Sequence, residues 1–325
     1  MIMKIGIPRA LLFYYYYPFW KTLFEKLGCE VVISDETNAK IISEGSASSV
    51  AEICVPIKIF NGHVLNLLEK DVDYVFAPQF HKAGCEWYCP KFIGIENLSL
   101  YGREEERNRL LILDMHTKTD EIYDYKCYKP LLEKLNVTKK DLKNALSAAK
   151  KDFEAFRSVM HQGYNAFEAI DITENNAVIE KKKRPLTIAL LGYVYNVYDS
   201  YVSMDTIKRL EQMDANVLTF DMQDEKTLMP NHKERREPFW VFARKVYHAG
   251  LNLIDKAEID GIIHITAFGC GPDSIIGKLM EIEAVKKGIP FMTMRIDEHT
   301  GDNHAQTRLE AFTDMIKMRK SKGGK

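Results

Sequence analysis

A rhythm of short apolar runs alternating with longer stretches of helical period, played out twice, constrains this 325-residue chain more than any other feature. In the first half, residues 3–8 read as a strand and 11–27 as a helix stopped by Gly28, with 29–34 a second strand. Residues 53–68 repeat apolar side chains at Ile57, Phe60, Val64, Leu67 and Leu68, the spacing of one helix face, and strands follow at 73–77 and 110–113. A polar-faced helical region runs from 129 to about 170, punctuated by Gly163, and a charged stretch at 173–185 reads as a boundary. The second half restarts with strands at 187–191, 216–220, 261–266 and 290–295, separated by helices at 205–213, 238–254 and 274–287 and closed by one at 304–317. Strand, helix, strand order requires crossover connections, and crossovers make parallel sheets covered on both faces. The expected fold is α/β, two doubly wound parallel-sheet domains of flavodoxin or Rossmann type. Residues 1–172 form the N-terminal domain with its long helical region, 173–185 a charged linker, and 186–325 the C-terminal domain.

Composition removes several function classes. A hydrophobic content of 46% is enough to fill two cores, while a net charge of −1 and a pI near 6.8 give no global attraction to nucleic acid or an anionic membrane. The cluster Lys181, Lys182, Lys183, Arg184 is short and reads as a solvated linker, and the run Tyr14 to Tyr17 reads as one face of an amphipathic helix. No apolar run approaches 18 residues, and the start of the chain, with Arg9 and its tyrosines, is unlike a signal peptide. The expectation is a cytoplasmic protein with neither membrane nor nucleic-acid partner. In that reducing setting the six cysteines are not a disulfide set.

In open parallel sheets ligands bind beyond the carboxyl ends of the strands, here the loops 77–96, 192–203, 267–274 and 296–303. Four of the cysteines fall in loops or at helix starts, Cys54, Cys85, Cys89 and Cys270, whereas Cys29 and Cys127 read as structural. Cys54, Cys89 and Cys270 are each followed within two residues by a proline (Pro56, Pro90, Pro272), which suits the first turn of a helix. The positive end of a helix dipole there favours thiolate. Thiolates from distant loops make a soft-ligand set for zinc or an iron–sulfur cluster. Structural zinc normally uses close pairs, and only Cys85 with Cys89 supplies one, as CxxxC. The plain alternative of buried thiols stays open, although Gly84, Gly269, Gly271 and the prolines mark shaped loops. Glu298 and His299 read equally as an acid or base pair and as a turn capped by Thr300 or Asp302. Tyr195 and Asn196, in the aromatic loop with Tyr193, Tyr198 and Asp199, and Arg9 beyond the first strand are candidates to contact a cofactor or an anionic ligand. Neither GxxxxGKS/T nor a convincing GxGxxG occurs, so these residues carry no motif for ATP or NAD.

The stretches IGIPRALLFYYYYPFW, EICVPIKIFNGHV, YCPKFIG, FGCGPDS and RIDEHTGDN with TRLEAFTDM resemble the acyl-CoA dehydratase activase-related family, relatives of the 2-hydroxyacyl-CoA dehydratase iron–sulfur components. The resemblance spans nearly the whole chain. It implies a 4Fe–4S or larger cluster held by Cys54, Cys89 and Cys270 in the crevice between the two domains, and an ATP-hydrolysing activase as electron donor. It further implies reductive radical chemistry of anaerobic metabolism on a small or CoA-thioester substrate, in a homo- or heterodimer. The chain would then be a dehydratase-like lyase or an ATP-dependent reductase component. Cys85 divides an open three-thiolate cluster from one closed by a fourth ligand. A departure lies at DEHTGDNHA, where Asp302, Asn303 and His304 replace the family's expected continuation and leave the role of that loop open. A non-catalytic electron-transfer or cluster-carrier subunit, and a zinc or thiol structural site, remain as alternatives.

Overall fold

The computed structural model describes residues 2–100, 102–118, 121–230, 237–297 and 302–323, leaving aside the side chains at 302–304 and 323. Two compact units emerge, one of Met1–Ser158 with Phe239–Val241, the other of Val159–Pro238 with Phe242–Lys325.

In the first unit β1 (Lys4–Ile7) pairs in parallel with β2 (Glu30–Ile33) on one side and β3 (Tyr74–Ala83) on the other, and β3 pairs in parallel with β5 (Leu110–Thr117). A short antiparallel β4 (Glu86–Trp87) folds back on the end of β3 beyond the reach of β1. The parallel order is thus second, first, third, fourth strand, with the switch point between β1 and β3. Helix α1 (Phe13–Lys26) connects β1 to β2, and its tyrosines at 14–17 are all buried together with Phe13, Phe19, Trp20 and Phe24. Enclosure is complete over the first half of the helix, Phe13 to Trp20, while Lys21, Thr22, Glu25 and Lys26 put its polar residues in the second half, the last two exposed.

Helix α2 (Ala39–Ala47), in a stretch to which the sequence pattern assigns no element, lies against α3 (Val55–Glu69). Its Ser- and Gly-rich composition hides the helix, yet Gly45 is what allows the packing. A Cβ there would lie 1.9 Å from the Lys58 carbonyl oxygen, and one at Gly62 would lie 2.0 Å from that of Ile41. The expected loop 77–96 is likewise largely ordered: β3 runs on through Pro78, Gln79, His81 and Lys82, followed by β4 and the single-turn helix α4 (Pro90–Ile93). The helical region 129–170 is three helices, Pro130–Lys134, Lys139–His161 and Ala166–Glu174, the first break falling where Asn136 takes φ of 51°.

The second unit repeats the plan. Strands β6 (Leu186–Leu191), β7 (Ala215–Thr219), β8 (Gly261–Ala267) and β9 (Phe291–Ile296) form a parallel sheet in the order β7-β6-β8-β9. Every residue of β8 is buried, as expected of a central strand covered on both faces. The helix Gly271–Lys286 returns the chain from β8 to β9 and starts three residues earlier than the apolar pattern implies, because Gly271 and Pro272 form its first turn. Both halves are α/β with parallel sheets flanked by helices, in agreement with the fold class read from the sequence. Among the described residues no helix is long and apolar enough to cross a membrane.

Candidate functional site

In the first unit, the chain leaves β1 at Ile7, and the Arg9 amide donates to Ser34 Oγ at 2.8 Å while its guanidinium lies 5.7 Å from the centroid of Phe13. Arg9 Nε is buried and has no hydrogen-bond partner among the described residues, so part of this cation is directed at nothing the protein supplies. Helix α3 opens at Cys54 as N-cap with Pro56 in its first turn, and α4 opens at Cys89 as N-cap with Pro90. Proline fixes φ and lacks the N–H that would be idle in a first turn, which is why both turns form where they do.

Neither cysteine makes a side-chain cap, and both are partly buried. The two thiols sit close enough for charge on Cys89 to raise the pKa of Cys54. Burial is the main force on each and pushes both pKa values up. The Ile57 amide and Lys91 oppose it at Cys54, and Lys91 with the Phe92 amide oppose it at Cys89. Burial therefore outweighs the helix-terminus effect expected from sequence.

In the second unit the β6/β8 switch point carries the corresponding groups. Cys270 is the N-cap of Gly271–Lys286 with Pro272 in the first turn, its amide donating to the Ala267 carbonyl at 3.1 Å. The loop after β6 forms a single helical turn, Val194–Val197, in which Tyr193 and Tyr195 have ring centroids 5.4 Å apart. Asn196 is fully buried, and neither its amide nitrogen nor its amide oxygen has a partner among the described residues. The Thr266 hydroxyl at the end of β8 is also buried without a partner. Two such idle polar groups at one sheet end mark a place where water or a ligand completes the bonding.

The other sequence candidates separate from these. Cys85 is exposed at the two-residue tip of the β3–β4 hairpin, where Gly84 takes φ of 63°. Cys29 and Cys127 are buried, burial raising the first to about 11 and the second above its ordinary value. Glu298 and His299 lie outside the described residues. Among the described residues no group of three or more His, Cys, Asp or Glu side chains is already assembled for a metal ion.

Sequence reasoning missed Lys91, which acts on both Cys54 and Cys89, and the pair His264–Asp273, whose Nε2 and Oδ1 lie 3.0 Å apart with both residues buried. A histidine inside the otherwise apolar run IIHIT, nine residues before the aspartate of FGCGPDS, was the available signal.

Residues 4–222 match the family model described as CoA enzyme activase uncharacterised domain, and residues 152–316 match that of 2-hydroxyglutaryl-CoA dehydratase, D-component. No curated protein is significantly similar to the chain.

Proposed function

Since the chain belongs to both the CoA enzyme activase-related domain family and the 2-hydroxyglutaryl-CoA dehydratase D-component family, we propose that it is an iron–sulfur protein of reductive acyl-CoA chemistry. In this reading Cys54 and Cys89 of the first unit and Cys270 of the second are the cluster ligands, and an ATP-hydrolysing activase is the electron donor. The observation that carries it is a shared local design. Three cysteines cap three helices, each with proline in the first turn and no side-chain cap, and charge on Cys89 acts on Cys54.

The donor set fits the group. Soft sulfur ligands select iron–sulfur clusters, and first-turn amides left without a side-chain cap can donate to cluster sulfides. When bound, the cluster supplies one low-potential electron at a time. The chain's own residues hold and surround it. Arg9, with an idle Nε, offers positive charge to a cluster or an acyl thioester, and Asn196 with Thr266 offers hydrogen bonds at the second sheet end. Cys85, on an exposed hairpin tip, fits less well as a ligand than the three capping cysteines, which favours a cluster with one open iron over a closed carrier.

The test is anaerobic isolation with iron, sulfide and zinc analysis. About four irons per chain with matching sulfide are expected for one cubane. Cys54→Ala, Cys89→Ala and Cys270→Ala should each lose most of the iron, while Cys29→Ala, Cys127→Ala and Cys85→Ala retain it. Stoichiometric zinc without labile sulfide would overturn the reading, and iron loss on changing Cys127 would mean a different ligand set.

A further inference from the structure

We propose that the buried His264–Asp273 pair is a positioning device that holds the Cys270 turn in the geometry its thiol needs as a ligand, an inference resting on Cys270 serving in that role. Asp273 stands at the third position of the helix that Cys270 caps, and its side chain leaves the cap unfilled. It turns instead to β8, where its Oδ1 accepts from His264 Nε2 at 3.0 Å. Both residues are at most 1% exposed. His264 Nδ1 and Asp273 Oδ2 are buried with no hydrogen-bond partner among the described residues.

The surrounding packing is built around this ring. A Cβ on Gly277, one turn beyond Asp273, would lie 2.4 Å from both Cε1 and Nδ1 of His264, so only glycine lets the helix lie against the imidazole. The tether closes the ten-residue path from the middle of β8, through Cys270, to the first helical turn. The rest of the turn is held by short-range bonds: the Cys270 amide to the Ala267 carbonyl at 3.1 Å, and the Ser274 amide and hydroxyl to the Cys270 carbonyl at 3.1 and 2.8 Å. The His264–Asp273 contact ties the first helical turn back to the middle of β8.

Stability alone does not account for such a pair. A buried ionic or polar pair with idle atoms is commonly matched or exceeded in stability by apolar residues of the same volume, whereas a directional hydrogen bond fixes position as packing does not. What it positions is the residue between its two anchors.

The test uses the full-length chain, reduced and metal-free. Removing one partner leaves the other buried and unpaired, so the informative variant is the double change His264→Leu with Asp273→Leu, which replaces the pair by apolar volume. Asp273→Asn, which keeps an acceptor for Nε2, is the conservative control. Iodoacetamide labelling of each cysteine is followed by mass spectrometry, and iron uptake on anaerobic reconstitution is measured separately. In the double variant Cys270 should label about tenfold faster, with Cys54 and Cys89 unchanged and the thermal midpoint close to that of the native chain; Asp273→Asn should label like the native chain. Native-rate labelling of Cys270 in the double variant overturns the proposal, and so does an equal acceleration at all three cysteines, which is general loosening. Failure of the native chain to take up iron and sulfide would sink the cluster reading and leave the labelling result to decide the positioning claim by itself.

Discussion

His63 sits in the interior of α3 with both ring nitrogens engaged, Nδ1 with Ser34 Oγ and Nε2 with Thr37 Oγ1, each at 2.9 Å. Burial first, and then the nearby Arg9 guanidinium, push its pKa down to about 3. In the unfolded chain a histidine titrates near 6.5, so between about pH 3 and 6.5 the unfolded state binds the extra proton. Stability contributed by this group is therefore complete above about pH 6.5 and is lost as the pH falls, reaching about 2 kcal/mol by pH 5. Urea unfolding of the metal-free chain at pH 7 and pH 5 should show that loss, and His63→Gln should remove most of it; an equal loss in both proteins would mean that other groups carry the acid sensitivity. This group was invisible in the sequence because His63 is 29 and 26 residues away from Ser34 and Thr37, and each belongs to an ordinary polar residue type. Proline-marked cysteines were legible for the opposite reason: Cys54, Cys89 and Cys270 are defined by neighbours one or two positions away, and local sequence fixes a helix start.

The same contrast between local and distant causes holds for whole elements. Strands β1, β2, β6, β7, β8 and β9 could be read within a residue or two because each is a short, mainly apolar run between turn or helix signals. Helix α2 could not, because the glycine that penalises its helix propensity is the one its packing requires. Replacing glycine by alanine in a helix ordinarily gains about 1 kcal/mol. At Gly45 and Gly62 that gain is outweighed, since the new methyl group would lie within 2.0 Å of a carbonyl oxygen on the partner helix. Overpacking costs about 1–3 kcal/mol where side chains give way, and here the obstacle is backbone. Gly45→Ala and Gly62→Ala should each lower stability by about 2 kcal/mol net, measured as a lower urea midpoint. Unchanged or raised stability would mean that the two helices do not approach so closely. Because α3 opens at Cys54, a displaced α3 should also reduce iron content, a consequence measurable on the same preparations.

Across the whole molecule, the two units share one strand order, and the candidate residues fall at equivalent places in it. Arg9 and Asn196 follow the first strand of their sheets, and Cys89 and Cys270 follow the third. That recurrence supports reading both sheet ends as parts of one function. Reducing a thioester carbonyl to a ketyl requires an electron far below the potential of ordinary cellular donors, and cysteine-ligated clusters reach about −700 mV at the extreme. In the proposed reading the energy to load such a cluster comes from the ATP-hydrolysing activase. A donor that binds ATP without hydrolysing it shifts an equilibrium only by its differential affinity, whereas hydrolysis can drive the electron in one direction and release the donor afterwards. Reduction of the iron-loaded protein by a mild donor should therefore require a cognate activase with ATP and magnesium, and a non-hydrolysable ATP analogue should leave it oxidised, as read by electron paramagnetic resonance. Full reduction by the mild donor alone would place the cluster at an ordinary potential, and the chain would then be a simple redox carrier rather than a partner in ketyl chemistry.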